Sequence, residues 1–290
     1  MTFEDAGRGA LGRIEADRTV RDLRGVVGDL SLVDVIADWD RFGPAITDVR
    51  GLPVVGAARL HAPIPHPPRD LFAVGKNYRD HVREFGRSGY DTPERSEDLP
   101  EAPVIFSKAA TSVTGPGVDI DPHLGATSEL DYEAELGVII GRGGSGISRE
   151  NAFAHVWGYT ILNDVTARDL QRRHRQWFLA KSLDTFTPMG PWAVTADEVG
   201  DPRGLVVSAS VNGEVRQQAP VSELIFDIHE LISTISAGMT LRPGDILATG
   251  TPAGVGISFD PPRFLKPGDV VACAITGLGT LRNTVRAAAV

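Results

Sequence analysis

The sequence predicts a β-rich α+β protein, a small N-terminal unit followed by a larger domain of many strands and few helices. Three observations carry this. First, 52 of the 290 residues are glycine or proline (32 and 20), about 18% against an average near 12%, so the chain turns often. Second, short apolar runs such as "LDYEAELGVIIG" and "GDVVACAI" have the length and composition of strands. Third, "HAPIPHPPRD" places prolines at 63, 65, 67 and 68. Proline this dense is extended and short of amide donors, which suits a stiff connector. The boundary falls there, giving a small N-terminal domain over 1–66 and a main domain over 67–290.

The elements follow in order. "ALGRIEA" and "LRGVVGD" are expected to be short strands, and Ser31 to cap a helix through "LVDVIADW". "LFAVGKNYRDHVREFG" runs from an apolar strand into a short helix whose buried stripe is Tyr78, Val82 and Phe85. Residues 86–103 are charged and rich in glycine and proline without apolar periodicity, either a lid or a plain surface loop. "SRENAFAHVWGY" and "NDVTARDLQRRHRQW" carry helical stretches. "VSELIFDIHELISTISAGM" is the clearest helix, with a stripe of Ile225, Ile228, Leu231, Ile232, Ile235 and Met239 and an end at Gly238. "LRPGDILATG" (241–250) and "LKPGDVVACA" (265–274) echo each other, as an internal repeat or a recurrent turn-into-strand device. "GRGGSG" (141–146) lacks the Lys-Ser/Thr of a phosphate loop and reads as a hairpin turn.

The formal charge of −9, from 29 basic and 38 acidic residues, argues against a nucleic-acid partner, which needs a basic surface. "MTFEDAGRGALGRIEADR" has no apolar run of signal-peptide type, and nothing later approaches the ~20 apolar residues of a membrane span. Cys273 is the single cysteine. It excludes an internal disulfide and a zinc–thiolate cluster, reads as core filler, and fits a cytoplasmic location.

The chemistry-bearing residues begin with Glu133 and Glu135. On one strand they share a face roughly 7 Å apart, opposite the apolar Tyr132, Ala134, Leu136, Val138 and Ile140. A wet second face explains such a pair as well as a metal does, and a third oxygen ligand would decide. Asp164, where "YTIL" ends and a helix begins, is that candidate; a helix N-cap is the other reading. Arg168 and Gln171 follow four and seven residues on, along one helix face. His81 and Glu84 are spaced i, i+3, so a carboxylate can orient an imidazole for proton transfer; an idle surface pair has the same spacing. Lys181 stands amid apolar residues in "WFLAKSLDTF", either snorkelling to solvent or held beside an anion. Thr251 lies in "ATGTPAGVG", a simple turn or a substrate-binding loop.

"VGKNYRDHVRE", "PVIFSKAATSVTGPG", "LDYEAELGVIIG", "GYTILNDVTARD", "WFLAKSLDTFTPMGPW", "LRPGDILATGTPAGVG" and "LGTLRNTV" occur in this order over about residues 70–286. Together they closely resemble the fumarylacetoacetate hydrolase family, most of all the bacterial branch that includes 2,4-diketo-3-deoxy sugar-acid hydrolases. The resemblance implies a mixed β-sheet roll or sandwich around a metal site, and a homodimer. It implies that Glu133, Glu135 and Asp164 bind one Mg²⁺ or Mn²⁺ per subunit. His81 and Glu84 would be the water-activating dyad on a segment ordered by substrate, with Lys181 also in a catalytic role. Arg168, Gln171, Lys181 and Thr251 match positions that contact a keto acid. The implied activity is hydrolysis of a C–C bond in a 2,4-diketo acid to pyruvate and a carboxylic acid, in aromatic or sugar-acid catabolism. Oxaloacetate decarboxylation, and isomerisation or hydration of a 2-hydroxy-diene-dioate, would use the same metal–enolate site. A non-catalytic metal- or sugar-acid-binding protein is a more distant alternative. In a net negative protein the metal, Arg168 and Lys181 would have to supply local positive potential for an acidic substrate.

Overall fold

The computed structural model describes residues 1–5, 8–56, 58–87 and 99–287. Most of the candidate lid at 86–103 lies outside the described residues. The N-terminal part is an antiparallel four-stranded sheet in the order Val20–Asp22, Arg8–Ile14, Thr2–Asp5, Arg59–Leu60. Helices Arg24–Val27, Leu32–Ala37 and Trp39–Ala45 accompany it. Ser31 caps the second as expected, its Oγ accepting the Asp34 N–H at 3.2 Å while Asp34 accepts the Ser31 N–H at 2.9 Å. The segment "LRGVVGD", expected as a strand, is helical instead. Its Leu23 and Val27 are both buried, four residues apart on one helix face, and Asp22 accepts the Arg24 N–H at the start of the turn.

The main part is built on a mixed seven-stranded sheet. Its order is Val104–Lys108, Leu71–Gly75, Ile246–Ala248, Ala134–Ile140, Val156–Asn163, Thr187–Thr195, Val113–Thr114. Two pairings are parallel, Leu71–Gly75 with Ile246–Ala248 and Val113–Thr114 with Thr187–Thr195. A second, antiparallel sheet has the order Glu214–Pro220, Val206–Val211, Val270–Ile275, Gly279–Thr284.

The strand Ala134–Ile140 shows how the layers meet. Ala134, Leu136, Val138 and Ile140 face a core shared with Val207, Cys273 and helix Ile228–Ser236. Ile139, on the opposite face, packs into a second cluster with Leu11, Ile36 and Ile64 from the N-terminal part. Both faces are therefore covered and the strand is buried throughout, which removes the wet-face account of Glu135. Burial also pushes the Cys273 thiol up to about 12, as suits an inert core residue.

Two expectations are corrected. The helix read from 221 to 239 covers only Ile228–Ser236, because Asp227 caps it by accepting the Glu230 N–H and the Ile225 N–H is spent on Asn77 O. Met239, assigned to its continuous apolar stripe, lies beyond the helix and is 44% exposed. The two Pro-Gly echoes resolve as a turn device: Gly244 and Gly268 both have positive φ (82° and 91°), but the strands they launch lie in different sheets.

Candidate active site

Glu133 and Glu135 do not lie on one continuous strand as expected. Pairing breaks at Tyr132–Glu133, between Leu130–Asp131 and Ala134–Ile140. The broken backbone finds other partners: Glu133 N–H donates to Asn163 Oδ1 at 3.1 Å, and Asp164 N–H donates to Glu133 O at 2.8 Å. This break and the end of strand Val156–Asn163 bring the three side chains together. Glu133, Glu135 and Asp164 are all buried, with one carboxylate oxygen of each within 4.8 Å of the others. Such a set could hold a metal ion.

Cations brace the carboxylates from behind. Lys181 Nζ donates to Glu133 Oε2 (2.9 Å), Asp164 Oδ2 (2.7 Å) and Thr166 Oγ1 (2.8 Å), which uses all three of its N–H bonds. Lys108 Nζ donates to Asp164 Oδ1 at 2.5 Å and to the Lys181 carbonyl. Arg168 donates from Nε to Asp131 Oδ2 (2.9 Å) and from Nη1 to Gln171 Oε1 (3.1 Å). Its Nη2 lies 2.7 Å from Glu133 Oε1 without a hydrogen aimed at that oxygen.

The charges do not balance evenly. Burial penalises the Glu133 anion, but Lys181 and Arg168 outweigh it and hold this carboxyl at about 2. Burial, then repulsion from Asp164 and Glu133, pushes Glu135 well above the usual carboxylate range. Desolvation opposes the charge on Lys181, yet Asp164 and Glu133 raise it overall. For Lys108 desolvation wins, and the ammonium is pushed down. Four buried carboxylates, counting Asp131, thus meet three buried cations, and the uncompensated repulsion falls on Glu135, whose charged form is disfavoured. A divalent cation among the three oxygens would relieve that repulsion, so the donor set and its charge both fit a metal.

The opposite wall is helix Arg79–Arg87. His81 Nδ1 lies 3.0 Å from Glu84 Oε1, and both oxygens of Glu84 accept the Gly254 N–H, at 3.0 and 2.9 Å. The loop after strand Ile246–Ala248 supplies further donors: Gly250 N–H to Glu135 Oε2 (2.8 Å), and Gly256 and Ile257 N–H to Asp131 (2.7 and 3.1 Å). Gly254 needs its missing side chain, since φ is 102° and a Cβ would lie 1.8 Å from Arg216 O. Thr251 Oγ1 donates to Ala134 O and accepts from Gln217 Nε2.

A single cleft is lined by His81, Glu133, Glu135, Gln171, Lys181 and Thr251, with Arg168 beside them. Glu84 and Asp164 stand behind it, in contact with His81 and with the two lysines. All nine residues singled out in the sequence therefore converge. The sequence reading passed over Lys108, Asp131 and Asn77. Lys108 ends the apolar run "VIFSK", the same signal that drew attention to Lys181. Asp131 lies within "LDYEAEL" itself. Asn77, fully buried, ties the helix start to Phe226 and Thr249 through its side-chain amide.

A carboxylate cluster that could hold a cation thus faces a His–Glu pair across one cleft, with buried Arg and Lys beside it. The family model for the fumarylacetoacetate (FAA) hydrolase C-terminal domain matches residues 70–286, and the chain belongs to that family. It is 44% identical over 286 residues to oxaloacetate tautomerase YisK of Bacillus subtilis, covering 93% of this chain and 91% of the relative. The structure is similar to fumarylacetoacetate hydrolase from Exiguobacterium antarcticum (TM-score 0.86, 42% identity, 99% of this chain and 98% of that one). It is also similar to 5-carboxymethyl-2-hydroxymuconate delta-isomerase from Mycobacterium smegmatis (TM-score 0.74, 33% identity, 99% and 100%). Tautomerase, hydrolase and isomerase names thus share this fold. Among the described residues no helix is long and apolar enough to cross a membrane.

Proposed function

We propose that the protein is a divalent-metal-dependent enzyme that interconverts the keto and enol forms of a short 2-keto acid of the oxaloacetate type. The observation that carries this is the His81–Glu84 pair facing the Glu133–Glu135–Asp164 cluster across one cleft. The likeness to YisK along nearly the whole of both chains supports the tautomerase reading over others in the family.

Glu133, Glu135 and Asp164 would hold Mg²⁺ or Mn²⁺, which supplies Lewis-acid polarisation of the substrate's keto and carboxylate oxygens. The chain's own groups do the rest. With Nδ1 engaged by Glu84, His81 keeps Nε2 for the proton that moves between the carbon beside the keto group and the enol oxygen. Glu84, fixed by the Gly254 N–H, stabilises the imidazolium in between. Gln171 spends its carbonyl on Arg168 and keeps its NH₂ for the substrate. Arg168, paired with Asp131 and Glu133, keeps a fixed positive charge at the cleft. Lys181, fully engaged, sets the spacing of Glu133 and Asp164 and keeps them ionised.

A second reading is C–C hydrolysis of a 2,4-diketo acid, in which His81 deprotonates a water that attacks the distal carbonyl and the pyruvate enolate leaves. The bracing of Glu84 from both His81 and Gly254 favours it, since water activation needs a well-oriented base. One experiment separates the two. The enol form of oxaloacetate and an acylpyruvate are each supplied with Mg²⁺ or Mn²⁺, with enol absorbance and pyruvate release followed. Faster enol decay without acylpyruvate cleavage upholds tautomerisation; pyruvate released from the acylpyruvate, with no effect on the enol, replaces it by hydrolysis.

A further inference from the structure

Resting on the acid–base reading of His81 and Glu84 above, we propose that Tyr132 is a positioning residue for proton transfer: its hydroxyl holds Gly254 in the arrangement that orients Glu84 and, through it, His81. The geometry is a chain of contacts. Tyr132 Oη donates to Gly254 O at 2.8 Å. The Gly254 N–H in turn donates to both oxygens of Glu84, at 3.0 and 2.9 Å. Glu84 Oε1 lies 3.0 Å from His81 Nδ1. The chain thus starts next to Glu133 in the carboxylate cluster and ends at the imidazole that lines the same cleft.

Tyr132 is a firm starting point. It is fully buried and its ring packs in the main core. Its N–H donates to Asp131 Oδ1 at 2.9 Å, and the Arg216 guanidinium lies 5.8 Å from its ring centroid. The hydroxyl therefore has a fixed place. Gly254 is the pliable link, because a glycine backbone has the widest choice of conformations and this one sits at φ of 102°. On either side of it the loop is tied to the same stretch of chain. Gly250 N–H donates to Glu135, Thr251 Oγ1 to Ala134 O, and Gly256 and Ile257 N–H to Asp131. Those bonds fix the flanks of the loop, and the Tyr132 hydroxyl fixes the residue that clasps Glu84.

Glu84 needs the clasp. Its long side chain has rotamer freedom to lose and stands on a helix of only nine residues. Released from Gly254, the carboxylate can turn away from His81, and an imidazole without its orienting partner transfers protons less efficiently. The carboxylate cluster is not part of this chain, so losing the hydroxyl should slow proton transfer and spare metal binding.

The test compares wild type, Tyr132→Phe, Glu84→Ala and the double variant. Tyr132→Phe keeps the ring in the core and removes only the hydroxyl. Amide hydrogen exchange on the metal-free proteins reads the Gly254 N–H, expected to exchange at least about tenfold faster in Tyr132→Phe. With Mn²⁺ present, kcat is followed on oxaloacetate enol or an acylpyruvate, whichever the wild type turns over. Tyr132→Phe should lower kcat roughly fivefold to tenfold, the usual worth of one hydrogen bond. It should change KM and Mn²⁺ affinity less than about twofold, and change kcat less than about twofold once Glu84 is already alanine. Unchanged Gly254 exchange, unchanged kcat, an equal loss in the Glu84→Ala background, or a matching loss of Mn²⁺ affinity would each overturn the assignment. A wild type that turns over neither substrate refutes the functional reading instead. Gly254 exchange then decides by itself whether Tyr132 holds the Glu84 clasp: faster exchange in Tyr132→Phe upholds it and unchanged exchange overturns it.

Discussion

The two walls of the cleft are held by different physics. The carboxylate wall grows out of the central sheet and is a closed network: Glu133 and Asp164 are paired with Lys181, and Asp164 also with Lys108. Arg168 adds Asp131 and Glu133. The His81–Glu84 wall is a short helix whose contacts with the body, among the described residues, include Asn77 with Phe226 and Thr249, Glu84 with the Gly254 N–H, buried Val82 and Phe85, and the Arg168 guanidinium 5.9 Å from the Phe85 ring centroid. Charges buried in a network are costly to unpair, so the first wall is rigid and intolerant. The second can move a proton-transfer group without disturbing the ligands. Metal affinity and proton transfer should therefore be separable by mutation.

The largest effect belongs to the first wall. Glu135→Gln should abolish Mn²⁺ binding and lower turnover by roughly 10³-fold or more, the loss of several kcal/mol of transition-state stabilisation. Mn²⁺ titration and initial rates would check this; full activity in chelator would remove the metal from the chemistry. His81→Gln should lower kcat by about 10²–10⁴-fold, the usual worth of a general acid–base, with Mn²⁺ affinity unchanged. If metal affinity fell in step with kcat, the walls would not be independent. Lys108→Met removes one partner of a buried pair and should cost roughly 3–5 kcal/mol of stability. Denaturant unfolding would measure that, and an unchanged midpoint would show that Asp164 does not need Lys108.

The same division explains what the sequence revealed. The alternation from Ala134 to Ile140 has a local period, so its apolar face was legible. Asp164 sits at a strand end, and His81 and Glu84 are three residues apart, so short-range rules could nominate them as candidates beside a helix N-cap and an idle pair. The pairings of Lys108 with Asp164, 56 residues away, and of Asp131 with Arg168, 37 away, arise only when sheet strands and helix close on one another. The break at Tyr132–Glu133 was hidden because its substitute hydrogen bonds come from Asn163 and Asp164, thirty residues on. The strand expected at 23–29 failed for a related reason, since a seven-residue stretch with three apolar side chains fits either period until Leu23 and Val27 are seen buried on one side. The ordered blocks over 70–286 compensated, because they carry the result of those long-range contacts.

The smallest expected effect compares Glu133 and Glu135, two residues apart and shifted in opposite directions. Glu133 is held at about 2 against an ordinary 4.5, so its contribution to stability is present above the ordinary value and is lost as pH falls toward 2. Glu135 is raised, so its contribution is present below the ordinary value and is lost as pH rises through the raised one. In chelator, the thermal midpoint should therefore decline as pH climbs above the usual glutamate range. Glu135→Gln, neutral at every pH, should flatten that alkaline limb and leave the acid limb in place. Mn²⁺ should flatten it in the wild type, because the cation takes over the role of the proton on Glu135. A scan of unfolding midpoints from about pH 2 to 9 would read all three curves. An alkaline limb that persists unchanged in Glu135→Gln would place the excess charge on another group and undo the account of why the cluster attracts a cation.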